Sequence, residues 1–221
     1  MLREIVHFLR VGPSVAKMQR EYSRAEFLDR MTARADAEGW AEQRSELVAG
    51  LSGRVLEIGC GTGSMFQYYA SGVTLDAIEP DPEFLELAQR KANDRVRVAL
   101  GDGTALAFDD QSFDAVVLSL VLCSVPSVER VVAEAFRVLA PGGQLRALEH
   151  VKSERRLGGA LMQATNPMWR WLNKQGCNWD RDPVPSIEGA GFVLDDVRAF
   201  QLFDTCMPAF PMRHIRAHRP D

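Results

Sequence analysis

Glu57, Gly59, Gly61 and Gly63 stand in the run RVLEIGCGTGSMF, an acid two residues ahead of three glycines at alternate positions. Glycine accepts positive φ cheaply and lets a ligand approach the backbone, so such a loop can wrap a small molecule. The register of the glycines selects among ligands. A dinucleotide fingerprint, G-x-G-x-x-G, needs its third glycine at position 64, where this chain has Ser64. An acid inside an apolar strand also needs a cation or several donors beside it. Glu57 would repel a pyrophosphate and suit a ligand that carries an ammonium and a sulfonium.

Other chemistry-bearing residues follow at intervals. Glu79 opens the run EPDPEF about twenty residues after the loop, where an acid can accept from both hydroxyls of a ribose. Its plainer role, an acid favoured by a helix N-terminus, falls better to Asp81 and Glu83. Pro80 comes next to it. Asp102, Gly103 and Thr104 form a second acid-glycine step, which could also be only a turn. Ser119, Leu120 and Cys123 lie in LSLVLCSV, and Cys123 could equally be a small buried hydrophobe. His150 ends the run LEH, where it could act as a base or hydrogen-bond the backbone. Cys177 and Arg181 share GCNWDR, whose arginine could hold an anionic substrate or pin its loop. Trp169, Trp171 and Trp179 suggest an aromatic wall, with at least one of them plain core.

An alternating programme of elements must position these residues. Apolar runs predict strands at 54–58, 74–79, 95–99, 113–119 and 143–151, and helical spacing predicts helices at 63–70, 82–92, 127–139 and 158–173. Strands alternating with helices imply an α/β fold with a doubly wound, mostly parallel sheet. In such sheets ligands sit outside the carboxyl ends of the strands, where Glu57, Glu79, Asp102, Ser119 and His150 fall. Ahead of the first strand, helical patterns cover residues 2–9, 14–37 and 40–48. Residues 1–50 are read as lid helices of the same domain and 51–221 as its core. Peripheral membrane attachment and a dimer contact are the other readings of the N-terminal helices, since Arg3, Arg10, Lys17 and Arg20 flank an apolar face. Monomer and homodimer both stay open.

Composition narrows the class. The 221 residues suffice for one α/β domain, and a net charge of −4 gives no reason to expect nucleic acid. Cys60, Cys123, Cys177 and Cys206 form no C-x-x-C pair, so neither a metal site nor a disulfide framework is expected. A reducing cytoplasm is the compartment that fits. No run is apolar enough to cross a bilayer, so membrane contact would be peripheral at most.

VLEIGCGTG resembles the first motif of the class I S-adenosylmethionine-dependent methyltransferases, E/D-x-G-x-G-x-G. The runs LVLCSVPSVERVVAEAFRVLAPGG, LEHV, NPMWRWLNKQGCNWDR and MRHIRAH extend the resemblance to the methyltransferase-like thiol methyltransferases of animal membranes and their bacterial relatives. The resemblance implies a seven-stranded Rossmann-like sheet and S-adenosyl-L-methionine as cofactor, with S-adenosyl-L-homocysteine as product. It also implies a cofactor contact set of Glu57, Gly59, Cys60, Gly61, Gly63, Glu79, Pro80, Asp102, Gly103, Thr104, Ser119 and Leu120. The acid Asp102 would accept from the adenine amine. Cys123, Trp169, Cys177 and Arg181 become substrate-pocket candidates and His150 the candidate base. The acceptor would be a small molecule, a thiol or other soft nucleophile. O- or N-methylation of a metabolite or lipid headgroup is the alternative, and a non-catalytic cofactor-binding protein the alternative of another class. Arsenite methylation would need clustered cysteines, which the spacing does not suggest.

Overall fold

The computed structural model describes residues 17–172, 176–201 and 211–221. The apolar N-terminal segment at 2–9 and Cys206 lie outside the described residues. Among the described residues, seven strands form one sheet: β1 Gly53–Ile58, β2 Val73–Glu79, β3 Val96–Leu100, β4 Phe113–Ser119, β5 Leu139–His150, β6 Val193–Phe200 and β7 Met212–His218. Their order is β3-β2-β1-β4-β5-β7-β6. The first five run parallel, and β7 is antiparallel to both its neighbours. Strand order reverses between β1 and β4, which opens a crevice at their carboxyl ends.

The helices are α1 Arg24–Ala35, α2 Ala41–Val48, α3 Pro82–Lys91, α4 Val128–Val138, α5 Arg156–Leu172 and α6 Val184–Gly189. Helix α4 shows how sequence makes them. Ser127 caps it by accepting from the Arg130 amide at 3.3 Å, and Val128, Val131, Val132, Ala135 and Val138 fall on one buried stripe. Burying each valine contributes about 1.5–3 kcal/mol, so a charge at Val131, which has no exposed surface, would break the contact with β4 and β5. Strand β4 itself is apolar on both faces because helices cover both sides.

Three expectations need correction. The helix placed at 63–70 is a turn followed by one short 3₁₀ turn, Phe66–Tyr68. Tyr69 takes extended backbone instead of helical, which sets its hydroxyl 3.0 Å from Glu57 Oε2. The helical region at 14–37 breaks at Ser23, whose capping box with Glu26 starts α1 afresh. Strands β6 and β7 and helix α6 had no counterpart among the five strands and the helices read from periodicity. Asp195, Asp196 and Arg198 interrupt the apolar pattern of β6, which is an exposed edge strand.

The N-terminal helices pack over the glycine loop. Leu28 of α1 is the nearest atom to where a Cβ of Gly61 would stand, at 3.9 Å. Arg24 pairs with Asp81 and Glu83 at the start of α3, and the Ala25 amide donates to Glu83 at 3.1 Å. Among the described residues, no helix is long and apolar enough to cross a membrane.

Candidate functional site

The glycine loop leaves β1 with φ of 70° at Gly59, 56° at Gly61 and 73° at Gly63, a left-handed course open chiefly to glycine. Its amides are largely consumed by the protein. Gly59 and Cys60 both donate to the Ile78 carbonyl, Gly61 donates to Glu79 Oε2 at 2.8 Å, and Gly63 donates to the Cys60 carbonyl. A phosphate cradle needs these amides aimed at the ligand. The loop therefore offers little to a pyrophosphate, as its register implies.

Carboxylates surround it instead. Glu57 is 1% exposed, and burial pushes its pKa up to about 8, opposed by the Tyr69 hydroxyl and by Arg44. Arg44 itself is buried against Asp36, with a separation of 2.8 Å, and donates to Ser64 of the loop. Glu79 accepts from Gly61 and from the Asp81 amide at 3.1 Å, and burial again raises its pKa. Sequence reasoning reserved Glu79 for a ligand and gave the helix to Asp81. In the fold Asp81 does cap α3, while Glu79 also ties the loop to that helix.

Pro80 and Leu100 are exposed beside Glu79, Leu100 pairing with it in the sheet register. Asp102 is exposed, and its Oδ1 accepts from the amide and hydroxyl of Thr104 at 2.8 and 2.9 Å. A Cβ at Gly103 would stand 2.8 Å from Ile58 Cγ2, so this loop packs on the end of β1. Cys60 is buried, and burial with Glu57 and Glu79 nearby pushes its thiol pKa up. Leu120 has φ of 61°, a left-handed conformation rare outside glycine, held by its N–H donating to the Leu148 carbonyl at 2.8 Å. Ser119 Oγ is buried and has no hydrogen-bond partner among the described residues.

The turn after β4 faces that loop. A Cβ at Gly59 would stand 2.9 Å from Val121 Cγ2. Glu149, fully buried in β5, accepts from the Val121 and Leu122 amides at 2.8 and 2.9 Å through one oxygen. Its pKa is pushed up to about 7 by burial. Sequence reasoning singled out His150 and passed over Glu149, although an acid inside an apolar strand is the same signal that exposed Glu57.

His150 Nε2 lies 2.7 Å from Cys177 Sγ. Cys123, His150 and Cys177 offer ligand atoms that all lie within 4.8 Å of one another. The expectation that the cysteines would not cluster is therefore wrong for this pair. Fifty-three residues separate Cys123 from Cys177 in sequence, but Asn178 donates to the Cys123 carbonyl through both its amide and its side chain, at 2.8 and 3.0 Å. Hydrogen bonding from Cys123, and then from His150, holds the Cys177 thiol well below the usual range, against the opposite pull of burial. Burial lowers the His150 pKa, but its contacts with Cys177 outweigh that and leave it raised.

Arg181 Nη1 donates to the carbonyls of Leu122 and Val125 at 2.8 and 2.7 Å, so the guanidinium pins this turn. Trp169 and Trp179 stack with ring centres 4.7 Å apart. Trp171 is 80% exposed and forms no part of that wall.

Comparison with known proteins bears on the family and the fold. The family model described as "Methyltransferase domain" matches residues 56–147. Demethylmenaquinone methyltransferase of Clavibacter sepedonicus is 37% identical over 175 residues, 70% of this chain and 71% of that protein. Human thiol S-methyltransferase TMT1A is 37% identical over 154 residues, 65% of this chain and 62% of that protein, so the match spans less than two thirds of its length. An S-adenosylmethionine-dependent methyltransferase from Mesorhizobium loti superposes with a TM-score of 0.61 at 18% identity, over 80% of this chain and 96% of that one, a likeness of fold.

Proposed function

The chain belongs to the class I S-adenosylmethionine-dependent methyltransferases, and from that premise we propose that it methylates a small-molecule thiol. When bound, the cofactor supplies a methyl carbon made electrophilic by its sulfonium. The donor set suits such a ligand: buried Glu57 for an ammonium, Glu79 for ribose hydroxyls, and Asp102 with exposed Leu100 and Pro80 for an adenine. Partnerless Ser119 Oγ is a further polar atom that a ligand in this crevice would satisfy. Gly59, Cys60, Gly61, Gly63, Gly103, Thr104 and Leu120 give the loop shapes that bring these groups together.

The choice of acceptor rests on the 2.7 Å contact between His150 and Cys177. A hydroxyl or ammonium acceptor needs a positioned base, and the imidazole nitrogen that would serve is already engaged by a thiol. A thiol acceptor ionises near working pH and needs orientation more than a base. The stacked Trp169 and Trp179 would wall the acceptor, and thiol S-methyltransferases among the relatives support the same reading. The test is a screen of thiols, phenols and amines with S-adenosylhomocysteine release as readout. Turnover should be confined to thiols; turnover of phenols or amines alone would reverse the assignment.

A further inference from the structure

We propose that Cys123, His150 and Cys177 form a binding site for a thiophilic divalent cation, Zn²⁺ being the best matched, with one coordination position left for the acceptor thiolate. The inference rests on the thiol reading above for its acceptor, and on geometry alone for its metal. Two sulfurs and one imidazole within 4.8 Å are the donor types that select zinc over magnesium or calcium. Three protein ligands with an open fourth position are the pattern of catalytic rather than structural zinc. Bonds of about 2.3 Å to sulfur and about 2.0–2.1 Å to nitrogen place neighbouring tetrahedral ligands about 3.6–3.8 Å apart. The widest separation already falls within 4.8 Å, and the His150–Cys177 edge of 2.7 Å would open by about 1 Å.

The three ligands sit on supports that hold them close to one another. Cys123 lies in the turn held by Glu149, Asn178 and Arg181. His150 ends β5, paired with Met212 of β7. Cys177 precedes Asn178, which locks it to the same turn. Outer contacts of this kind orient ligands and tune the metal. Cys123 and His150 are buried while Cys177 is half-buried, so access is from the Cys177 side, where Trp169 and Trp179 stack. The strained Leu120 links this turn to the carboxyl end of β4, beside the glycine loop.

The chemistry balances without a redox partner. The acceptor R–SH loses its proton to solvent on binding the cation. The thiolate lone pair forms the new S–CH₃ bond as the sulfonium C–S bond breaks, its electron pair returning to the cofactor sulfur. The products are two neutral thioethers, weaker ligands than a thiolate, which favours release.

The experiment titrates Co²⁺ into the full chain, reduced and stripped with chelator under anaerobic conditions. One Co²⁺ per chain is expected, with tetrahedral visible bands and a near-ultraviolet thiolate-to-cobalt transition, both abolished by Zn²⁺. Cys123→Ser and Cys177→Ser should each diminish the thiolate transition, while Cys60→Ser should not. Circular dichroism checks folding, and zinc stoichiometry of the unmodified chain by native mass spectrometry needs no variant. Thiophenol should shift the cobalt spectrum and phenol should not. Absence of saturable binding, a spectrum unchanged in both serine variants, or thiophenol methylated at full rate by stripped protein would overturn the inference. Thiophenol bound to the cobalt protein, with no S-adenosylhomocysteine released from any thiol, would support the metal site and count against the methyl-transfer reading.

Discussion

Asp29, on α1, accepts a hydrogen bond from the Thr62 hydroxyl of the glycine loop at 2.9 Å, and Lys91 of α3 pairs with the same oxygen. One carboxylate thus joins the N-terminal helix, the loop and the following helix. If α1 acts as a lid, its hold on the loop should appear in ligand affinity. A net hydrogen bond contributes about 0.5–1.5 kcal/mol. Asp29→Ala should therefore weaken S-adenosylhomocysteine binding by about threefold to tenfold in calorimetry. Unchanged affinity would mean that α1 merely covers the sheet.

Glu79 has two roles, and substitution should expose both. Its carboxylate satisfies the Gly61 and Asp81 amides, so Glu79→Ala strips two backbone donors of their partners. Leaving a buried donor unsatisfied costs about 1–3 kcal/mol. The ligand-free protein should lose stability of that order in urea unfolding, and cofactor affinity should fall at least about tenfold by calorimetry. Lost affinity with an unmoved urea midpoint would assign Glu79 to the ligand alone.

Glu57 should make the protein's behaviour depend on pH. Its pKa rises on folding from an ordinary 4.5 to about 8, because burial disfavours the charge. A raised folded pKa contributes stability that is full below about 4.5 and lost as pH climbs through about 8. The ligand-free protein should thus weaken across this window, and Glu57→Gln should flatten that slope in urea unfolding measured at several pH values. An ammonium ligand favours the ionised form, so S-adenosylhomocysteine should bind more tightly at pH 8 than at pH 6, with proton release. A ligand affinity independent of pH in the native protein would disconnect Glu57 from the ammonium.

Legibility in the sequence followed the range of the interactions. The glycine loop, Glu57 and strands β1–β5 are local patterns, read from spacing within about ten residues, and they stand in the fold where the spacing put them, whereas the helix expected straight after the loop is a turn. The tryptophan pair and the Cys123–His150–Cys177 group are long-range products. Their members come from the turn after β4, the end of β5, helix α5 and the loop that follows it, and no periodicity ties Cys123 to Cys177. What joins them is Asn178, a buried polar residue whose backbone and side-chain N–H groups both donate to the Cys123 carbonyl, more than fifty residues away. Strand β6 escaped for a different reason: an edge strand with one solvated side lacks the apolar run that marked the buried strands.

Arg181 separates a loop pin from an anion receptor. Its Nη1 donates to the Leu122 and Val125 carbonyls, one of which lies next to Cys123. A lysine keeps the charge but lacks the planar, rigid guanidinium whose one nitrogen meets both carbonyls. If the residue holds an anionic acceptor, Arg181→Lys should retain most activity toward a carboxylate-bearing thiol, and Arg181→Ala should raise KM for that thiol more than for a neutral one. If it pins the turn, both substitutions should disturb Cys123 alike. KM and kcat should then change by similar factors for 3-mercaptopropionate and thiophenol, and both variants should melt earlier than the parent. The geometry supports the second pattern. Rescue by lysine, confined to the anionic thiol, would show that the guanidinium reads substrate charge.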